Sequence, residues 1–175
     1  MDSRDHQLAA LAALAMSLQI LEAALPSLIP GLKPGLANVV TLIALLSLGW
    51  RAAITVTLLR IIGASLLLGS LLSPGFWLSL AGGLASLLML GLVYPLFPRM
   101  VSALGLAIAA ALAHTAGQFI LAWTIIIPHP ALIWLLPPLL LIALLAGIMT
   151  GLLTQSIITD PRIQPYVQQP HQRQP

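Results

Sequence analysis

Between residues 8 and 158 the chain carries only five charged side chains: Glu22, Lys33, Arg51, Arg60 and Arg99. A water-soluble domain is about a quarter charged residues; here the fraction is 6%, against 59% hydrophobic, with a mean hydropathy of +1.05. The solvent that tolerates a surface of this composition is lipid. Inside a bilayer every backbone polar group must be bonded within the protein, which restricts spanning segments to helices and closed barrels. The apolar runs show no period-2 alternation, so the fold class is all-α, a polytopic membrane protein.

A span takes about 20 apolar residues, so 175 residues hold at most six or seven. The chain reads as six. The first helix covers residues 8–25; it exceeds the 7–15 apolar residues of a signal-peptide core and contains Glu22, so it counts as a span. Residues 26–37, PSLIPGLKPGLA, hold three prolines and two glycines and cannot continue a helix. The next run, 36–49, is about 21 Å long as a helix, short for a core of ~30 Å. Some of the Pro/Gly-rich backbone therefore sits at membrane depth, shielded by protein or lining a cavity. Further helices follow at 52–72, 77–96 and 101–127. Pro137 and Pro138 suit the first turn of the sixth, 139–158, because a missing N–H costs little there. Residues 1–7 form a cytoplasmic tail, 8–158 a six-helix transmembrane domain, and 159–175 a Pro- and Gln-rich cytoplasmic tail expected to be disordered.

Loop charges set the orientation. With six spans and an inward N-terminus, Arg4, Arg51, Arg99, Arg162 and Arg173 lie inside and Lys33 alone lies outside, a positive-inside pattern. The protein is then a multi-pass protein of the cytoplasmic (inner) membrane with both termini cytoplasmic. The basic residues are scattered singly, which argues against nucleic acid as a partner.

The polar groups inside the spans carry the functional information. Counting 1.5 Å per residue from the inner ends puts Arg60 at ~14 Å, Glu22 and His114 at ~20 Å and Gln118 at ~26 Å. Asn38 and Lys33 enter from the outer side. All lie in the middle or outer half of the membrane. An intramembrane charge costs about 2.5–3.5 kcal/mol on insertion scales and marks a functional site by default, although a Glu22–Arg60 ion pair could equally serve to hold helices together. His114 and Gln118, at i and i+4, share one helix face, with Gly117 between them; interhelical hydrogen bonding is the plainer role for that pair. Lys33 to Asn38 could cradle a polar or anionic ligand near a helix N-terminus; equally, they could be a snorkelling lysine and an ordinary cap. Ala9, Ala13 and Ser17 form a small-residue stripe that admits another helix, either a partner's or one of the chain's own.

Catalytic machinery is not legible. There is no carboxylate pair, no nucleophile beside a base, no phosphate-binding glycine loop and no aspartate-rich magnesium motif. The acids Asp2, Asp5, Glu22 and Asp160 cannot make one, and the chain has no cysteine. The expectation is a protein that is not an enzyme and needs no cofactor or metal.

Five segments, Glu22 to Pro26 (EAALP), Gly31 to Asn38 (GLKPGLAN), Arg60, Leu80 to Ser86 (LAGGLAS) and Ala113 to Gln118 (AHTAGQ), resemble the Gx transporter family, labelled heptaprenyl diphosphate synthase component I. Thr115 stands where an asparagine would be expected after the histidine. That family is in turn similar to substrate-binding S-components of energy-coupling-factor transporters. The likeness implies a six-helix bundle with an outward site, a small-molecule substrate, and a first helix contacting a transmembrane coupling subunit driven by ATPases. On this reading Glu22, Asn38, Arg60, His114 and Gln118 line the site, Lys33 sits at its mouth, and Ala9, Ala13 and Ser17 meet the partner. The alternative is a non-transport subunit, either an accessory or assembly subunit of a larger membrane (redox) complex or a membrane partner of isoprenoid-quinone synthesis.

Overall fold

The computed structural model describes residues 3–24 and 36–161. The apolar runs fold as α1 (Ser3–Ala24), α2 (Leu36–Leu48), α3 (Trp50–Leu67), α4 (Pro74–Val93), α5 (Ala103–Leu121) and α6 (Leu136–Thr159). Among the described residues there is no strand. Five helical segments are long and apolar enough to cross a membrane, and Ala37–Leu48 is a shorter apolar helix. Large side chains such as Leu88 and Leu92 are more than 70% exposed, a surface suited to lipid rather than water. The protein is a multi-pass helical membrane protein.

Local chemistry fixes most helix ends. Ser73 and Ser102 cap α4 and α5, each Oγ accepting from the backbone N–H three residues on, Phe76 at 3.3 Å and Gly105 at 3.2 Å. Pro74 opens α4, and Pro137 falls in the first turn of α6. Gly49, at φ +89°, is the single residue between α2 and α3.

Several boundaries differ from the sequence reading; the first helix begins at Ser3, inside the expected tail of residues 1–7, not at residue 8. The third helix ends at Leu67, not at residue 72. Gly69 takes φ +63°, its N–H bonds Leu66 O and the Ser70 N–H bonds Ser65 O at 2.9 Å, a Schellman closure that ends the helix before the Ser-Pro-Gly signal is reached. The fourth helix tightens into a 3-10 turn at Tyr94–Leu96, and the fifth widens into a π-helical turn at Ala122–Ile126. A further 3-10 segment, Pro130–Leu135, leads into α6. Of the proline-rich stretch, residues 25–35 lie outside the described residues, as do Lys33 and the tail from 162 onward; Leu36 to Asn38 form the first turn of α2.

α5 packs along both α4 and α6, α1 packs on α2 and α3, and α2 also reaches α6. Glycines bring the first group to backbone contact. A Cβ on Gly117 would lie 2.9 Å from Ala81 O, and one on Gly147 2.9 Å from Ile108 Cα. The main core joins Leu42, Leu45, Leu87, Leu90 and Leu106 from α2, α4 and α5. A second cluster joins Ala12 and Ala15 of α1 to Val40, Ala44, Ala52 and Val56. Since α1 buries the Ala12/Ala15 face, it leaves Ala9, Ala13 and Ser17 exposed, with Ser17 Oγ bonded to Ala13 O at 2.9 Å. The chain's own described helices do not cover that stripe.

Candidate functional site

The α2–α3 contact is organised by polar pairs one helical turn apart. Arg60 Nη2 donates to Asn38 Oδ1 at 2.7 Å, a short charge-assisted bond. Three residues further along α2 and three back along α3, the Thr41 and Thr57 hydroxyls meet at 3.3 Å. This ladder holds the Arg60 guanidinium in place in the bundle interior, where it is only 5% exposed. Glu22, near the end of α1, is 6% exposed and close enough to act on Arg60 electrostatically. His114 on α5 also feels the Arg60 charge and lies against the Gly82 backbone of α4. Only Gly82 permits that approach, because a Cβ there would lie 2.7 Å from His114 Cε1 and 2.8 Å from Gln118 Cγ.

These groups surround a cavity of about 520 Å³. Glu22, Asn38, Arg60, His114 and Gln118 all line it, so the structure brings five of the six substrate-site candidates together; Lys33, the sixth, lies outside the described residues. The volume falls within the range of roughly 300–1,000 Å³ typical of small-molecule pockets. The lining comes mainly from the C-terminal halves of α1, α3 and α5, the first turn of α2, and the N-terminal halves of α4 and α6, with Ala111 and Thr150 near the middle of their helices. Those are the helix ends beside the connections after α1, α3 and α5. The cavity is therefore displaced toward the end of the bundle opposite Ser3 and Thr159.

Its walls are chemically unequal. The α1–α3 side is polar. Phe119 of α5, Ala122 of the π-helical turn, Leu132 and Leu135 of the 3-10 segment, and Leu139, Ile142, Ala143 and Ala146 of α6 supply most of the apolar lining, beside His114, Thr115 and Gln118 of α5 and Thr150 of α6. Sequence reasoning missed Gln19, Ser79, Thr115 and Thr150, which also line it. Gln19 could have been found, since it stands three residues before Glu22 on the same helix face. Ser79 and Thr150 gave no comparable signal, because a single hydroxyl residue in an apolar helix usually bonds its own backbone.

Three buried polar atoms among the described residues have no hydrogen-bond partner: Arg60 Nε, His114 Nδ1 and Thr154 Oγ1. The first two belong to cavity residues. Nothing in the structure explains the third. Among the described residues no three His, Asp or Glu side chains group as a metal site would require. The arrangement is suited to holding a small molecule against both polar and apolar groups.

The family model described as heptaprenyl diphosphate synthase component I matches residues 11–157, most of the 175-residue chain, and the chain belongs to that family. No curated protein and no solved structure gave a match.

Proposed function

We propose that this member of the heptaprenyl diphosphate synthase component I family is a substrate-capture subunit of a small-molecule uptake system, similar to the S-components of energy-coupling-factor transporters. The observation that carries the reading is the meeting of Glu22, Asn38, Arg60, His114 and Gln118, from four helices, around one cavity of about 520 Å³. A bundle that needed these groups only for cohesion would pack them against one another, since an intramembrane polar group without a partner is costly. In the orientation given by the loop arginines, both termini are cytoplasmic in the inner membrane and the cavity is biased outward, as capture from outside requires. Lys33 would stand at its mouth. The exposed Ala9, Ala13 and Ser17 would receive the transmembrane subunit that couples capture to ATP hydrolysis.

The chain acts by binding, not by catalysis. Its described acids, Asp5, Glu22 and Asp160, are far apart in sequence, and Glu22 alone lines the cavity.

The family description names one component of a synthase, which favours a second reading: a non-transport membrane subunit, either partnering isoprenoid-quinone synthesis or serving a larger redox complex. Affinity purification from membranes in mild detergent, followed by native mass spectrometry, separates the two. The capture reading expects a small molecule released from wild-type protein and absent from an Asn38→Ala variant, with ATPase and coupling subunits co-purifying. A ligand-free chain that co-purifies with a prenyl synthase or redox subunits overturns it.

A further inference from the structure

A hydroxyl side chain in an apolar helix usually bonds back to the carbonyl four residues earlier. Ser17, Ser47, Thr55, Thr124 and Ser156 all do so. Ser86 of α4 and Thr150 of α6 depart from that rule. They are 6% and 4% exposed. The side-chain hydrogen bonds near them run from Arg60 to Asn38 and from Thr41 to Thr57 and Ala37 O, and none reaches either hydroxyl. Neither oxygen is among the fully enclosed polar atoms without a partner. Both therefore open onto space inside the bundle.

That space is a second cavity, of about 10 Å³, lined by Asn38, Thr41, Ser86 and Thr150 and otherwise by aliphatic groups. It lies where α2, α4, α5 and α6 meet, and Asn38, Ala111 and Thr150 also line the larger cavity. Its volume is close to the roughly 10–15 Å³ that one water needs, and a buried water typically makes about three hydrogen bonds. The polar side chains of three helices supply them. A metal cation fits poorly, because it needs about six oxygen ligands and a compensating charge. No acidic side chain among the described residues lines this cavity, and the Arg60 guanidinium already holds Asn38 Oδ1 at 2.7 Å.

We propose that this smaller cavity is a one-water site, in which a single water molecule bonds the Thr41, Ser86 and Thr150 hydroxyls and links α2, α4 and α6 beside the larger cavity. Water suits it because it both donates and accepts, and so matches the hydroxyls whichever way they rotate. Thr41 also meets Thr57 at 3.3 Å, so the polar ladder between α2 and α3 continues through the water to α4 and α6. The wall shared by the two cavities is thereby hydrogen-bonded as well as packed. The site stands whatever the larger cavity holds.

The test begins with crystals of the full-length wild-type protein grown in a lipidic phase, at a resolution that shows ordered water. A density peak should lie about 2.5–3.0 Å from at least two of the three hydroxyl oxygens. Thermal melts of two variants in detergent follow. Valine keeps nearly the shape of threonine and removes one bond to the water, so Thr150→Val should lower the melting temperature by about 2–4 °C. Ser86→Ala should act in the same direction. A dry cavity predicts the opposite sign, because each substitution would then remove an unpaired buried hydroxyl. Exchanging sodium chloride for choline chloride at equal concentration should leave the wild-type melting temperature unchanged. The density needs no variant to fold. Absence of the peak, either variant melting at or above wild type, or stabilisation by sodium alone overturns the inference.

Discussion

Removing the Arg60 charge while Glu22 stays buried should damage the protein more than removing both. In Arg60→Met the 2.7 Å bond to Asn38 disappears; a hydrogen bond to a charged group contributes about 1.5–3 kcal/mol. The Glu22 carboxylate, 6% exposed, also loses the opposite charge acting on it. Breaking a buried pair by removing one partner costs about 3–5 kcal/mol. The two losses overlap, so a total near 4 kcal/mol is expected, on the order of 10 °C in melting temperature for a chain of this size. In Glu22→Gln/Arg60→Met the stranded charge is gone and only hydrogen bonds are lost, so about half of the stability should return. Thermal melts of the three variants in one detergent, read by intrinsic tryptophan fluorescence, complete a double-mutant cycle. A double variant that melts at or below the Arg60→Met single would falsify the argument, since the two groups would then not share one buried electrostatic site.

Reporter fusions at Ser73, Pro98 and Pro130 should report outside, inside and outside, and an inside signal at either Ser73 or Pro130 contradicts the topology. Gly82→Ala would place a methyl 2.7 Å from His114 Cε1 and force the ring off its site; overpacking of about 1–3 kcal/mol offsets a helix-propensity gain of about 1 kcal/mol, so the melting temperature should not rise in the same melts. Ala13→Leu lies on the exposed face of α1 and should change the melting temperature of the isolated protein little, while the capture reading expects co-purification of a coupling subunit to be lost. Ser73→Ala removes the cap bond to Phe76 and should lower stability by about 1 kcal/mol in the same melts.

The helices were legible because their signals are local. Continuous apolar runs identify spans, and proline or serine-proline signals bracket them, so α1, α2, α4 and α6 fall within a few residues of the sequence reading. The early end of α3 depends on Gly69 adopting a left-handed φ, and the run of leucines around it masks that choice. Five of the site residues were legible from cost: a charge, a histidine or an amide at mid-membrane depth has to be there for a reason. The apolar wall was not. Leu132, Leu139 and Ile142 look the same in sequence as the lipid-facing Leu141 and Leu145, which are 60% exposed; only the packing of α6 on α5 decides which of them turns inward. Likewise Gly82 read as an ordinary close-packing residue, whereas its missing Cβ also makes room for His114.

The unpartnered atoms bear on why this interior is hollow at one end. A packing role for Arg60 is partly met by Asn38 and reinforced one turn away by Thr41 and Thr57. If cohesion were the whole purpose, the remaining donor at Nε and the acceptor at His114 Nδ1 would each represent about 1–3 kcal/mol of unrecovered desolvation, with no lipid group able to supply a partner. A leucine or phenylalanine at position 114 would fill the space against Gly82 without that loss. The cavity beside them presents Glu22, Gln118 and the Asn38–Arg60 pair to an occupant, and a ligand that bonds those groups stabilises the fold only while it is present. The short α2 contributes to the same end. Its 13 residues begin at Leu36, so Asn38 stands one turn into the helix, at the cavity wall, instead of deep within a full-length span.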